Sequence, residues 1–197
     1  MILALVVVAA LFINTGTAQP DEPRCRETPE TWSGYLYIIS VRSTEARFTI
    51  SLGSYSRTAQ KIKITDVKSM TNEPLRTVLE DYEKRIRYTS VSGSCRNETL
   101  EGEFPSYGVP EDAHFDGPVE TLGAKIAGLG VTVAHYTIAE RGFSYYTYHP
   151  LGDEGTQCIP ITNSIATLEP LGEDIIQYAN VTTVLPTDAF SLPPGCG

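Results

Sequence analysis

Four cysteines carry the clearest chemistry in this 197-residue chain: Cys25, Cys95, Cys158 and Cys196. No CxxC occurs, so a zinc ribbon or a thioredoxin-like redox pair is a poor reading. Widely spaced cysteines suit structural disulfides in an oxidising compartment. Four cysteines allow three pairings, and sequence alone selects none of them. Each bridge closes a long loop, a constraint of roughly 4 to 5 kcal/mol in the chain-entropy model before any native strain. Two Asn-x-Thr sequons add a second chemistry, Asn97-Glu98-Thr99 and Asn180-Val181-Thr182. In a secreted chain both are glycosylation acceptors and must face solvent.

The signatures of catalysis are missing. No GxSxG elbow marks a hydrolase. His114, His135 and His149 stand apart, without HExxH spacing. His135 is in phase with Val131 and Val133 along a strand-like run, which suits a satisfied core or pocket histidine better than a metal ligand. The glycines of GAKIAGLG lack the Lys-Ser/Thr of a P-loop, and Val133 stands where a Rossmann pattern needs its third glycine. Glu111, Asp112 and Asp116 cluster in one stretch without EF-hand spacing and read as a solvated loop. The residues give no positive sign of an enzyme, and metal ligands are not identified.

These residues must be positioned by strands. Residues 2–13 are apolar without a break, with Gly16 and Ala18 following at small positions, so residues 1–18 read as a signal peptide and 19–197 as a single domain. The run is too short to span a bilayer. A net charge of −9 gives no basic footprint for nucleic acid. Beyond that point the dominant period is two. Phe48, Ile50 and Leu52 alternate with Arg47, Thr49 and Ser51. Ile62 and Ile64 alternate with lysines, and Ile86 and Tyr88 with arginines. These are half-buried strands. About ten strands joined by short turns are expected, hence an all-β fold. Residues 74–86 fit a helix or a hairpin, and the hairpin is favoured. Residues 35–41, YLYIISV, are apolar on both faces, which requires something packed on each. If Asn180 faces out, strand phase turns Ile176, Tyr178 and Thr182 outward and Ile175, Ala179 and Val181 inward. The longest irregular stretch, 104–118, reads as a loop over one end of the sheets.

Cys25 followed by Pro29, Trp32 and Gly34 resembles the start of the ependymin-related proteins. YTSVSGSC (88–95), QCIPI (157–161) and FSLPPGC (190–196) resemble later landmarks of that family, in the same order. Three residues separate Cys25 from Pro29, where the family commonly has two, and the extra cysteine pair of vertebrate members is missing. The resemblance implies the pairs Cys25–Cys158 and Cys95–Cys196, with Trp32 packed beside the first. It implies two stacked antiparallel sheets, similar to bacterial lipoprotein-carrier (LolA-like) folds, enclosing a hydrophobic pocket. It also implies a secreted, calcium-associated glycoprotein that forms homodimers, with lysosomal location in some members.

Two functions follow as expectations. One is binding of a lipid or fatty-acyl ligand, held by burial of its methylenes at about 0.8 kcal/mol each. Its pocket would draw on Phe48, Ile50, Leu52, Ile62, Ile64, Val131, Val133, Ile159 and Ile161. The alternative is a calcium-dependent matrix or cell-adhesion glycoprotein without a lipid ligand.

Overall fold

A computed structural model describes residues 25, 27–69, 75–139, 144–151, 157–168 and 171–197. The expected signal peptide lies outside them. Among the described residues there are twelve strands, and every ladder between them is antiparallel. They are β1 (Thr31–Arg42), β2 (Ala46–Ser56), β3 (Lys61–Ser69), β4 (Arg76–Asp81), β5 (Ile86–Val91) and β6 (Ser94–Thr99), then β7 (His114–Phe115), β8 (Glu120–Gly123), β9 (Gly130–Ile138), β10 (Ser144–Leu151), β11 (Gln157–Leu168) and β12 (Leu171–Thr182). The strands run β6-β5-β4-β3-β2-β1-β12-β11-β10-β9-β7 across the sheet, with β8 on β9. The all-β antiparallel class is as the alternation requires. Its two expected sheets are joined into one ladder, because β1 pairs with β2 along one edge and with β12 along the other. The favoured hairpin is present as β4–β5. Asp81 accepts the Lys84 backbone N–H at 3.0 Å and Arg85 takes φ 57°, which closes the turn.

Directly paired residues share a face, so the register defines what each face carries. One face holds Trp32 and Leu36 of β1, Tyr55 of β2, Ile62 of β3 and Tyr178 of β12, a single buried cluster. Trp32 stacks on Tyr55 at 5.8 Å, and Tyr178 meets the indole edge-on at 5.9 Å. Gly53 makes room: a Cβ there would lie 3.0 Å from Leu36 and 3.4 Å from the indole. The stretch after β6 closes over this cluster. Phe104 and Tyr107 each lie 5.1 Å from Tyr55, and Tyr107 lies 5.5 Å from Trp32. Farther along the face, Tyr136, Tyr148, Ala134 and Val109 surround Cys25 and Cys158. The 25–158 disulfide therefore belongs to this second cluster, and Trp32 packs in the first rather than beside the bridge.

The buried face changes at β4. Glu80 sits opposite Ile62 on the cluster's face, and Arg87 and Glu98 follow it as an ion-paired row. Leu79, one residue out of phase, is 2% exposed on the reverse face. The C-terminal tail, 183–197, crosses that reverse face. Lys63 donates to the Ser191 backbone oxygen at 2.9 Å, Ser90 donates to Pro194 O at 2.7 Å, and Cys196 is bonded to Cys95. The tail reaches only the start of β1, where Ser33 Oγ donates to Val184 O at 3.1 Å, and stops short of the reverse side of the rest of that strand. There Tyr35, Ile39 and Val41 are each about two-fifths exposed. The outer side of YLYIISV thus has no cover within the described chain, contrary to its two-faced apolar pattern.

The phase expected for β12 fails in part. Asn180 is exposed, but Tyr178 is buried and Ile176 packs on the Trp32 cluster. The register slips between Ser33 and Tyr35 of β1, which face Thr182 and Ala179. The extra residue on β12 falls at Asn180–Val181, and Asn180 takes φ 53°. A bulge of this kind resets the alternation, so the exposure of Asn180 says nothing about Tyr178.

Candidate functional site

The structure brings the expected cysteines together as Cys25–Cys158 and Cys95–Cys196, the pairing that the ependymin resemblance implies. Both sequon asparagines, Asn97 and Asn180, are exposed. The nine residues named for a hydrophobic pocket do not meet. Ile62 and Ile64 lie on the face of the Trp32 cluster. Phe48, Ile50 and Leu52 alternate with Tyr55's side of β2 and lie on the reverse face, opposite Ile39, Tyr37 and Tyr35. Val133 is buried and Val131 is exposed beside Leu122 on β8. Ile159 faces His149 of β10, and Ile161 occupies the register shift between Pro160 and Thr162. Period two marked these residues as apolar strand positions without fixing which face each strand turns to the core.

His135 is half-buried with satisfied partners, as its phase suggested. Its Nδ1 lies 2.6 Å from the Tyr145 hydroxyl and 3.2 Å from Thr147 Oγ1. Asp116 accepts from Thr137 Oγ1 at 3.0 Å. Among the described residues no group of three or more His, Cys, Asp or Glu is placed to hold a metal ion.

A different constellation forms where three distant segments meet. A cleft of about 670 Å³ is walled by Glu27, Tyr55, Arg57, Phe104 and residues of the 105–111 stretch. Its floor is fixed by main-chain bonds. Val109 N–H donates to Cys25 O at 2.8 Å, Cys158 N–H to Glu27 O at 2.8 Å, and Arg57 N–H to Glu30 O at 2.8 Å. The 25–158 disulfide locks the same crossing. Arg57 emerges just past the end of β2 and reaches Glu27 Oε2 at 3.2 Å and Thr28 O at 3.3 Å. Contact with Tyr55 first, then with Glu27, holds its guanidinium above the ordinary arginine value. Phe104 is held against Tyr55 and, edge-on at 5.2 Å, against Tyr82. Glu111 stands on the rim.

The cleft therefore offers a fixed aromatic ring, a planar five-donor cation and carboxylate acceptors. Ser106 is the one serine among the described lining residues, and its Oγ accepts the Gly108 N–H at 3.3 Å. Among the described lining residues there is no histidine or cysteine to activate it or to act in its place. This set is chemically suited to a ring compound with an apolar face and a hydroxylated rim. Sequence reasoning missed all of it. The available signal was two aromatic residues, Phe104 and Tyr107, inside an aperiodic proline-containing stretch.

Comparison with known proteins places the chain. No family model matches it. Over 151 residues, 77% of this chain and 100% of the relative, it is 83% identical to Halilectin 3, alpha chain, of Haliclona caerulea. The chain belongs to the halilectin 3 family. The beta chain of Halilectin 3 from the same organism is 39% identical over 112 residues, 57% of this chain and 93% of that one. Among solved structures, an uncharacterized conserved protein of Thermus thermophilus matches with TM-score 0.53 at 6% identity, over 85% of this chain and 88% of that chain. That likeness shows the fold alone. A looser one, TM-score 0.40 at 10% identity over 84% and 92% of the two chains, is to a Vibrio parahaemolyticus domain described as a putative outer membrane lipoprotein-sorting protein domain. That resemblance is too loose to bear on function. No helix among the described residues is long and apolar enough to cross a membrane.

Proposed function

We propose that this chain is a secreted carbohydrate-binding glycoprotein, and that the cleft between Glu27, Arg57 and Phe104 holds the glycan. The supporting observation is its 83% identity to a lectin chain over that chain's whole length. The chemistry of the cleft fits: Phe104 meets the C–H face of a sugar ring, and Arg57 with Glu27 meets vicinal hydroxyls. This narrows the adhesion alternative to a defined kind of ligand. The lipid reading stands second, because the residues chosen for it are divided between two faces of the sheet. Pairing of chains also belongs to the proposal, since the relatives are named as an alpha and a beta chain. Calcium, implied by the ependymin resemblance, enters as a variable to test.

A glycan array probed with the secreted, disulfide-bonded protein tests the reading, with and without chelator. Saturable binding to a restricted set of glycans is expected. Phe104→Ala is expected to weaken it about tenfold, in the range of a lost stacking contact, while far-ultraviolet circular dichroism stays unchanged. Binding to no glycan, or binding indifferent to Phe104→Ala and Arg57→Gln alike, removes the cleft from consideration.

A further inference from the structure

The reverse face holds a second recess, unconnected with the glycan cleft. It measures about 370 Å³ and lies between β2–β4 and the C-terminal tail. Volumes near 300 Å³ and above are those of small-molecule sites. Apolar groups make up the larger part of its wall, Leu52 and Val67 from the sheet and Leu192, Pro186 and Pro194 from the tail, while Ser54, Thr65, Thr77 and Ser191 add hydroxyls. Val67 and Leu192 are each about half exposed, so an occupant would cover apolar surface that water now meets.

The recess is preformed. Short turns brace the tail: Ala189 N–H donates to Pro186 O, Ser191 N–H to Asp188 O and Cys196 N–H to Pro193 O, each at 3.0 to 3.1 Å. The 95–196 disulfide anchors its end. Lys63 is the cation among the residues lining it. Its ammonium donates to Ser191 O at 2.9 Å and Ser191 Oγ at 3.0 Å. An ammonium has three N–H donors, so one remains beyond those two. Burial lowers the Lys63 pKa, and Asp188 opposes that shift only in part. The amine is thus short of counter-charge in an apolar setting.

We propose that this recess binds a small apolar molecule carrying one carboxylate, with Lys63 as its anchor and Leu52, Val67 and Leu192 enclosing its hydrocarbon part. A phosphate dianion suits the site poorly, because a single cation already faces Asp188.

The test uses the intact oxidised protein and three probes: sodium octanoate, 1-octanol and octyltrimethylammonium, followed by calorimetry. Octanoate is expected to bind one per chain, about tenfold tighter than octanol, the range of one charge-assisted hydrogen bond. Octyltrimethylammonium is expected to be the weakest. Lys63→Met should bring octanoate down to octanol's affinity and leave octanol unchanged. Asp188→Asn should tighten octanoate alone. Ser191→Ala disturbs the same tail contact without removing charge, so it should keep the preference for octanoate. Octanoate binding no tighter than octanol, or a preference that survives Lys63→Met, overturns the proposal. Equal loss in Lys63→Met and Ser191→Ala also overturns it, since Lys63 would then act only as a staple for the tail.

Discussion

The two faces of the one sheet are covered in different ways. On the first face, Trp32, Tyr55 and Tyr178 are sealed by Phe104 and Tyr107 from the stretch after β6, and aromatic rings meet within 6 Å throughout. On the reverse face the tail runs from the start of β1 to β6, held by a disulfide and by hydrogen bonds from Ser33, Lys63 and Ser90. The first cover is held by packing and the second by discrete attachments. Packing is distributed over many small contacts, whereas an attachment is lost with a single bond. The two proposed binding recesses follow this division, the cleft beside the packed cover and the apolar recess beneath the strap.

Breaking the packed cover should have the largest effect. Trp32→Ala is expected to cost about 3–5 kcal/mol, read as a shifted midpoint in urea unfolding, and to loosen the 104–111 wall of the cleft. Breaking the strap should cost less. Removing the Cys95–Cys196 bridge by a double Cys→Ala change is expected to cost about 2–4 kcal/mol and to raise dye binding at the newly exposed surface around Leu79, while glycan binding persists. If glycan binding fell as far as in Trp32→Ala, the two faces would be coupled and the contrast between them would be wrong.

Alkali should distinguish the faces without mutation. Burial is the first cause that raises Tyr107, Tyr148 and Tyr178 above the ordinary tyrosine value. All three lie on the packed side. A raised folded pKa leaves stability intact below the unfolded value near 10 and erodes it as pH climbs toward the folded one. Phenolate absorbance should therefore show a late step, from these three tyrosines, that coincides with loss of near-ultraviolet dichroism. The smallest effect is expected on the open part of the reverse face. Ile39→Thr should change stability by less than about 1 kcal/mol, because Ile39 is already 37% exposed. A larger loss, growing with protein concentration, would mean that another chain covers that surface in solution.

Much of this architecture was legible in the sequence, and the remainder was hidden for identifiable reasons. Alternation in 46–52, 61–65 and 86–90 marked real strands, and the turn at 82–85 is the one the hairpin reading required. Alternation gives period without phase. Ile62 and Leu79 read alike, yet one is buried in Trp32's cluster and the other on the face the tail crosses. The bulge at Asn180 is a one-residue insertion with no compositional mark. The cleft proposed for the glycan joins residues as far apart in sequence as Glu27 and Glu111, through a loop with no repeat to read. Cysteine chemistry was the most legible feature, because a disulfide depends on residue type, although its pairing came only from resemblance.

That pairing has a topological consequence. The two bridges interlace along the chain: Cys95 comes before Cys158 closes the first, and Cys196 lies beyond it. A single peptide-bond cut anywhere between 25 and 196 therefore leaves both fragments covalently joined by at least one bridge. A nicked molecule keeps the mass of the whole apart from one added water, and two pieces appear only after reduction. For a protein exposed to extracellular proteases, cleavage of an exposed loop and loss of the molecule become separate events.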